Sequence, residues 1–176
     1  MARYVALLRA VNLGKIGKIA MADLHHLLVS LECSDVQTLL QSGNAVFDSN
    51  TRTTSALERE LETALASRLG IATEVFARTP AQWTAIVKAN PFAEMAKRDP
   101  SHLVVLVTRG KPKQAALAQL RAPGPEEIEV GKGCLYITYP GGIGRSKLSA
   151  NPGWRSLGVV GTARNWNTVQ KIAAAL

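Results

Sequence analysis

The order in which strand-like and helix-like apolar patterns alternate constrains the fold of this chain more than any other feature. A buried strand is predicted at residues 3–11, followed by a helix at 21–31 with a single apolar face. The pattern continues with strands at Val36–Leu40 and Asn44–Phe47, a helix from Ser55 and a strand at Thr73–Ala77. This βαββαβ order is that of a ferredoxin-like unit.

Turn and cap residues support these boundaries. Gln41-Ser42-Gly43 predicts a hairpin turn, because glycine readily adopts a positive φ. Ser55-x-x-Glu58 predicts a capping box with Ser55 as the N-cap, and Gly70 is predicted to end the same helix.

The second half shows a similar order of elements. Thr79 as N-cap and Pro80 at the first helical position predict a helix over residues 80–89. Further elements are predicted at His102–Thr108 (strand), Pro112–Arg121 (helix), Glu127–Val130 and Cys134–Tyr139 (a hairpin), a helical turn near Arg145, and residues 165–176 (helix). The sequence therefore predicts an α+β protein of two tandem ferredoxin-like halves, 1–78 and 79–176, with an extra C-terminal helix.

The distribution of charge points to an anionic partner. The 176 residues carry a formal net charge of +8, with 47% hydrophobic and 19% charged residues, which is typical of a folded globular protein. No acidic residue precedes Asp23 and none follows Glu129. Both acid-free ends contain glycine-rich segments, a combination that favours negative charge. A solvated basic surface is the alternative.

The remaining composition suggests an intracellular setting. Cys33 and Cys134 are far apart in sequence and form no C-x-x-C, which fits a reducing compartment better than a disulfide scaffold. No apolar run approaches the length of a membrane span. We therefore expect a soluble, cytoplasmic protein with no membrane partner.

The segment Gly141-Gly-Ile-Gly-Arg-Ser-Lys147 is the strongest candidate for an anion site. It follows a predicted strand and is expected to lead into a helix N-terminus, where unpaired N–H groups favour anions. Leu148 follows Lys147, so the segment is not a Walker A loop. The candidate ligands here are Gly142, Gly144, Arg145, Ser146 and Lys147. A strand-to-helix corner with a charged rim is the alternative.

Three other polar segments supply further candidates. They are Arg9, Asn12 and Lys15 after the first strand, Ser42 and Asn44 at the hairpin tip, and Arg164, Asn165 and Asn167 at the start of the last helix. Arg9 interrupts an apolar strand, so it must face an edge or pair with another group. Asn165 is a plausible N-cap, and Arg164 and Asn167 are expected on the polar side of the last helix. Ordinary turn and cap chemistry is the alternative at the other positions.

No catalytic or metal-binding set emerges from the sequence. His25, His26 and His102 lack further ligands at metal spacing, so we interpret them as satisfied or exposed histidines. No carboxylate pair stands out for acid–base chemistry. With 5% aromatic residues, base stacking is not the main source of any nucleic-acid affinity. We predict no cofactor and no metal, and the catalytic residues stay unknown.

Four stretches together resemble the bacterial family called "domain of unknown function 1697" (DUF1697). They are Leu7–Gly14, Gln41–Phe47, Tyr139–Leu148 and Arg164–Val169, and Asn90-Pro-Phe92 fits as well. Ala10 and Lys15 stand where the first motif of this family usually has glycine. The resemblance implies an α+β fold of two ferredoxin-like halves, and it brings no activity, substrate or cofactor.

Three functional hypotheses follow. In the first, the polar segments form a basic, glycine-rich cleft between the halves that binds a phosphate-bearing ligand or a nucleic-acid backbone. In the second, the same cleft acts on a small phosphorylated substrate, with Arg9, Arg145 and Lys147 stabilising negative charge. In the third, the chain is a structural or interaction protein without a small-molecule ligand.

Overall fold

The fold was analysed in a computed structural model that describes residues 1–12, 17–121 and 124–176. These residues form a mixed α+β protein with two four-stranded antiparallel sheets and seven α-helices. The chain divides into two compact units: unit 1 comprises Met1–Thr84 and Lys171–Leu176, and unit 2 comprises Ala85–Gln170.

Unit 1 contains the first six elements of the chain. In order they are β1 (Ala2–Leu8), α1 (Met21–Ser30), β2 (Ser34–Leu39), β3 (Asn44–Ser49), α2 (Thr54–Leu69) and β4 (Val75–Arg78). The sheet order is β2-β3-β1-β4, and each neighbouring pair is antiparallel. The predicted βαββαβ order of these elements is confirmed.

The core of unit 1 follows from the period-two alternation of its strands. Tyr4, Ala6 and Leu8 of β1 point to the same face of the sheet and are at most 3% exposed. This face packs against the apolar sides of α1 and α2, whose buried members include Leu28 and Leu65. Full burial of each such side chain contributes about 1.5–3 kcal/mol, so the two helices are held mainly by this face.

The start of α2 differs from the prediction. Thr53, not Ser55, is the N-cap: its Oγ1 accepts a hydrogen bond from the Ala56 N–H at 3.2 Å. The predicted capping box is therefore wrong. Its acidic member, Glu58, is buried and its Oε1 accepts a hydrogen bond from the Ala77 N–H of β4 at 2.8 Å. That carboxylate links the helix to the sheet instead of capping the helix. At the other end of α2, Gly70 has φ 66° and ends the helix as predicted.

Two helices follow unit 1's sheet. The first, α3 (Pro80–Lys88), starts as predicted: Thr79 Oγ1 accepts from the Gln82 N–H, and Gln82 Oε1 accepts from the Thr79 N–H. The second, α4 (Ala93–Arg98), was not predicted. It has no side-chain cap and no buried residue, so neither a cap signal nor an apolar face marks it in the sequence.

Unit 2 contains the second sheet. After the end of α3 and α4, its elements are β5 (Leu103–Arg109), α5 (Gln114–Arg121), β6 (Ile128–Gly131), β7 (Cys134–Thr138), α6 (Pro152–Ser156), β8 (Val160–Asn165) and the start of α7 (Trp166–Ala175). The sheet order is β6-β7-β5-β8, again with antiparallel neighbours. Leu106, Leu135 and Ile137 of this sheet pack with Leu117 and Leu120 of α5 in one core cluster.

The last strand, β8, was missed by the sequence analysis. Its sequence, Val-Gly-Thr-Ala-Arg-Asn, has neither an apolar run nor strict alternation. The strand forms because it pairs with β5 over six positions, from Val104↔Asn165 to Arg109↔Val160. Long-range pairing therefore determines this element, and local preference does not. Among the described residues, no helix is long and apolar enough to cross a bilayer.

Candidate functional site

The candidate side chains of unit 1 that the structure describes are bonded to other groups of the same unit. Arg9 pairs with Glu74, whose carboxylate oxygens lie 2.9 and 2.8 Å from Nη1 of the guanidinium. This confirms that Arg9 needs a partner, and it means that the positive charge of Arg9 is already matched by a carboxylate. Lys15 lies outside the described residues.

The side chain of Asn12 forms hydrogen bonds to two separate segments of the backbone. Its Nδ2 donates to the carbonyl oxygens of Ile19 at 3.1 Å and Gln41 at 2.6 Å, and its Oδ1 accepts from the Ile19 N–H at 2.9 Å. The side-chain amide of Asn12 therefore joins the segment after β1 to the hairpin tip. At that tip, Nδ2 of the buried Asn44 donates to the Leu39 carbonyl at 2.8 Å and to Ser42 Oγ at 2.9 Å. These contacts hold the turn between β2 and β3.

In unit 2, the glycine-rich segment leaves β7 without entering an α-helix. It forms two short 3₁₀ turns, Ile143–Arg145 and Leu148–Ala150, so the predicted helix N-terminus is absent from the described segment. The turn is held by hydrogen bonds from the Gly142 N–H to the Tyr139 carbonyl at 2.8 Å and from the Arg145 N–H to the Gly142 carbonyl at 3.2 Å. Gly142 has φ 84°, a conformation that favours glycine.

One open pocket lies beside this turn. Its volume is about 470 Å³, and we call it the glycine-turn pocket; it is lined by His102, Pro140, Gly141, Gly142, Gly144 and Arg145. Pairing of β5 with β7 builds it. Leu103 lies opposite Thr138, and the Tyr139 N–H donates to the His102 carbonyl at 2.8 Å. The residue before β5 is thereby placed next to the turn that follows β7.

Several donors in this pocket are available to a ligand. Arg145 is exposed and, among the described residues, has neither an ion pair nor a side-chain hydrogen bond. Within the same described part of the chain, the N–H groups of the lining residues Gly141 and Gly144 have no hydrogen-bond acceptor. A fixed cation and two unused backbone donors on one short turn form an environment suited to an anion.

His102 adds a polarised imidazole to the pocket. Its Nδ1 lies 2.5 Å from Oδ2 of Asp99, and the Asp99 Oδ1 accepts from Ser101 Oγ at 2.7 Å. These two hydrogen bonds, that of Ser101 first, lower the pKa of Asp99, so the carboxylate stays charged. The other ring nitrogen, Nε2, faces the glycine turn: a Cβ atom added to Gly142 would lie 3.5 Å from it.

Ser146 and Lys147 do not belong to the glycine-turn pocket. They adjoin a second, smaller cavity of about 300 Å³, which we call the Glu126 pocket and whose lining includes Glu126, Lys147 and Leu148. Ser146 Oγ donates to the Glu126 carboxylate and accepts from the Leu148 N–H. The predicted anion segment is thus divided between two pockets. Gly142, Gly144 and Arg145 line one, whereas Lys147 lines the other beside a carboxylate.

Arg164 is buried, at 7% exposure, so its predicted position on the polar side was wrong. It lies in β8, the strand that the sequence did not reveal, and not in the last helix. Its Nη1 donates to Thr162 Oγ1 at 2.9 Å and to the Ala163 carbonyl at 2.8 Å. Burial lowers the pKa of its guanidinium to about 10. These contacts make Arg164 part of the packing of its strand.

The asparagines near the last helix have different roles. Asn165 is the predicted N-cap of α7, since its Oδ1 accepts from the Thr168 N–H at 3.0 Å. Asn167 is exposed, as predicted, and lines a separate open groove together with Lys88 and Lys97. Cys33 and Cys134 form no disulfide, and both are buried. In the residues that the structure describes, no three His, Cys, Asp or Glu side chains meet to hold a metal ion.

Sequence reasoning did not single out Asp99 and His102 as a hydrogen-bonded pair at this pocket. The local signal was an acid three residues before a histidine, immediately ahead of an apolar strand. This signal is weak, because it does not show which turn the histidine faces. Only the pairing of β5 with β7, strands that are separated along the chain by α5 and β6, places His102 beside Gly142.

Comparison with known proteins identifies relatives of this chain without a stated function. The family model described as "Protein of unknown function (DUF1697)" matches residues 1–136. A search of curated proteins finds no match. Among solved structures, the chain is similar to the conserved bacterial protein SP0830 from Streptococcus pneumoniae, with a TM-score of 0.74 and 23% identity. That match covers 98% of this chain and 97% of the other, and it supports the mixed α+β fold.

Proposed function

Since the chain belongs to the DUF1697 family, whose description assigns no activity, we propose a function from the geometry of its unit 2. In this proposal, the glycine-turn pocket binds a phosphate-bearing anion. The observation that supports it best is the combination of an unpaired Arg145 with the unused N–H groups of Gly141 and Gly144, all three in the lining of one pocket. The site lies entirely within unit 2 and replaces the broader set of thirteen candidate residues as the proposed ligand site.

The charge balance of this pocket supports an anion. Arg145 is a permanent cation whose guanidinium can bond two phosphate oxygens at once. No carboxylate is among the described residues that line the pocket, and the Asp99 carboxylate is hydrogen-bonded to Ser101 and to the ring of His102. In the Glu126 pocket, by contrast, Lys147 shares the lining with a carboxylate that competes for its charge.

The ferredoxin-like fold of the two units and a cytoplasmic location are also part of this proposal. The sheet order β2-β3-β1-β4 of unit 1 and the order β6-β7-β5-β8 of unit 2 have the same pattern, and both support two ferredoxin-like units. Two buried cysteines that form no disulfide support a reducing compartment such as the cytoplasm.

A thermal-shift screen tests the binding proposal. The ligands are inorganic phosphate, sulfate, nucleotides, sugar phosphates and short oligonucleotides. A ligand at a hundredfold excess over its Kd stabilises the folded state by about 2.7 kcal/mol, which is roughly 5–10 °C in Tm for a chain of this size. Arg145→Ala should abolish the shift, and Lys147→Ala, which removes a cation two positions away, should retain it.

The same screen separates the alternatives. A shift lost in Lys147→Ala and kept in Arg145→Ala contradicts the proposed pocket. A response confined to oligonucleotides, with affinity falling steeply as salt rises, indicates a nucleic-acid backbone as the ligand. If no ligand produces a shift, the binding proposal is overturned and a structural or interaction role is favoured.

A further inference from the structure

Asp99 and His102 are arranged as a carboxylate–imidazole pair whose free nitrogen faces the glycine-turn pocket. The carboxylate is fixed by two contacts: Ser101 Oγ bonds its Oδ1, and His102 Nδ1 bonds its Oδ2. The His102 N–H also donates to the backbone carbonyl of Asp99 at 3.1 Å. With Nδ1–H donated to a carboxylate, neutral imidazole holds its lone pair at Nε2. Both side chains are a little over one-third exposed, so water reaches the pair.

The position of Nε2 is the second observation. The described structure gives this nitrogen no protein partner, and the nearest wall of the pocket at that point is Gly142, which has no side chain to cover it. Arg145 lines the same pocket, so a base and a cation flank one space. A general base can activate the attacking water in hydrolysis of a phosphate ester, and a fixed positive charge can stabilise the charge that develops on its oxygens.

We infer that Asp99 and His102 form a general-base pair that activates water for the hydrolysis of a phosphodiester held in the glycine-turn pocket. This inference rests on the proposed anion binding and assigns that site a substrate class and a reaction. His102 is the catalytic residue, because its Nε2 contacts the attacking water. Asp99 is a positioning residue, because it acts through the imidazole ring.

The reaction balances without any further reactant. His102 Nε2 removes a proton from water, and the water oxygen forms a new bond to phosphorus. The bond between phosphorus and one ester oxygen breaks, and that oxygen leaves with the bonding electrons. The imidazolium proton then passes to the leaving oxygen directly or through solvent. The sum is diester plus water giving a phosphate monoester and an alcohol, with Arg145 stabilising the charge that develops on the phosphoryl oxygens.

The charges of the pocket favour a diester over a monoester. A diester has one negative charge, which the single guanidinium of Arg145 matches. A fully ionised monoester has two, and its second charge would be repelled by the Asp99 carboxylate behind the imidazole.

Hydrolysis of bis(p-nitrophenyl) phosphate by the purified full chain tests the inference. His102→Gln removes the base and should lower kcat about 100-fold or more. It should leave the thermal shift with inorganic phosphate in place, since Arg145 is unchanged. His26→Gln makes the same chemical change at an exposed histidine of α1 and should leave turnover unchanged. With p-nitrophenyl phosphate, a monoester, turnover by the unmodified chain should be slower.

Asp99→Asn tests the positioning role through its dependence on His102. In the otherwise unmodified chain it should lower kcat for bis(p-nitrophenyl) phosphate and leave KM unchanged, since Arg145 still binds the diester. In the His102→Gln variant it should lower kcat no further, because the carboxylate acts through the imidazole ring. A residue that only supports the fold would lower turnover in both backgrounds.

The two proposals can fail separately. If phosphate shifts the Tm and the shift depends on Arg145, but the diester is not hydrolysed or His102→Gln hydrolyses it equally well, the catalytic inference is overturned and anion binding stands. If hydrolysis depends on His102 and Asp99 while no anion shifts the Tm, the general-base inference is supported and the proposed anion site is overturned. If neither response appears, both are overturned.

Discussion

Arg9 and Glu74 form an ion pair in which both carboxylate oxygens lie within 2.9 Å of one guanidinium nitrogen. Their side chains are 43% and 40% exposed, so solvent screens the interaction. We expect a double-mutant cycle with Arg9→Ala and Glu74→Ala to give a coupling energy of about 0.2–1 kcal/mol in urea denaturation. Arg9→Ala should also keep the phosphate-induced shift in Tm, and loss of that shift would mean that Arg9 contributes to the anion site.

Asn12 combines side-chain hydrogen bonds with a left-handed backbone, at φ 61°. Asn12→Gly should lower the free energy of unfolding by about 1–3 kcal/mol, because the hydrogen bonds are lost while glycine accepts the backbone conformation. Asn12→Ala should cost roughly 1 kcal/mol more, since alanine is strained there. Urea denaturation measures both variants. An alanine variant as stable as the glycine variant would contradict the assigned backbone strain.

Glu58 is predicted to be the acidic residue of α2 with the largest effect on stability. Its carboxylate accepts from the Ala77 N–H at 2.8 Å and lies 3.7 Å from Arg78 Nη1. Glu58→Ala should lower the free energy of unfolding by about 3–5 kcal/mol, and Glu58→Gln by less, because the amide oxygen can still accept. Glu60→Ala, at an exposed position of the same helix, should change it by about 0.5 kcal/mol or less. Equal effects at both positions would contradict the buried link.

Tyr139 should make the stability of unit 2 sensitive to alkaline pH. Burial, and then the nearby negative charge of Glu126, raises the pKa of its phenol from the ordinary 10.0 to about 12. The folded state therefore favours the neutral phenol. The resulting stabilisation is complete below pH 10 and is lost as pH rises from 10 to 12. Denaturation of the unmodified chain and Tyr139→Phe across this range should show a flatter dependence for the phenylalanine variant. Identical curves would contradict the raised pKa.

Gly142 should be the glycine of the turn that is least tolerant of a side chain. Its φ of 84° disfavours alanine, and a Cβ atom would cover Nε2 of His102 at 3.5 Å. We expect Gly142→Ala to weaken phosphate binding at least tenfold, measured by titration at constant temperature. Gly141→Ala is the matched control, because a Cβ at that position meets no atom within 4 Å. Equal weakening in the two variants would contradict the assigned geometry.

Local chemistry made much of the fold predictable. Thr79, Asn165 and Gly70 are cap residues whose preferences act over one helical turn, and all three stand where the sequence placed them. β8 was not predictable in the same way, because its residues show no strand pattern and depend on β5 for their pairing. Ser55 was wrongly predicted as the N-cap of α2, because the carboxylate of Glu58, three residues later, is bonded to the sheet and not to the end of the helix.

The candidate site was predictable only in part, for the same reason. The glycine-rich turn and Arg145 are local features and were found directly. His102 became relevant only through the register of two strands that are not consecutive in the chain. Arg164 was placed on the wrong surface because its strand had not been identified, so its burial could not be inferred from the pattern around it.

Arg145 and Lys147 are two positions apart and line different pockets, while Ser146 between them is bonded to Glu126. The hydrogen bond of Ser146 therefore fixes the chain at this point, and the side chains on either side of Ser146 line separate pockets. A mutation of Arg145 or of Lys147 can therefore change the lining of one pocket and leave the other cation in place. For protein engineering, the segment from Gly141 to Lys147 provides two nearby cations, each beside its own pocket, that can be varied independently on a single fixed support.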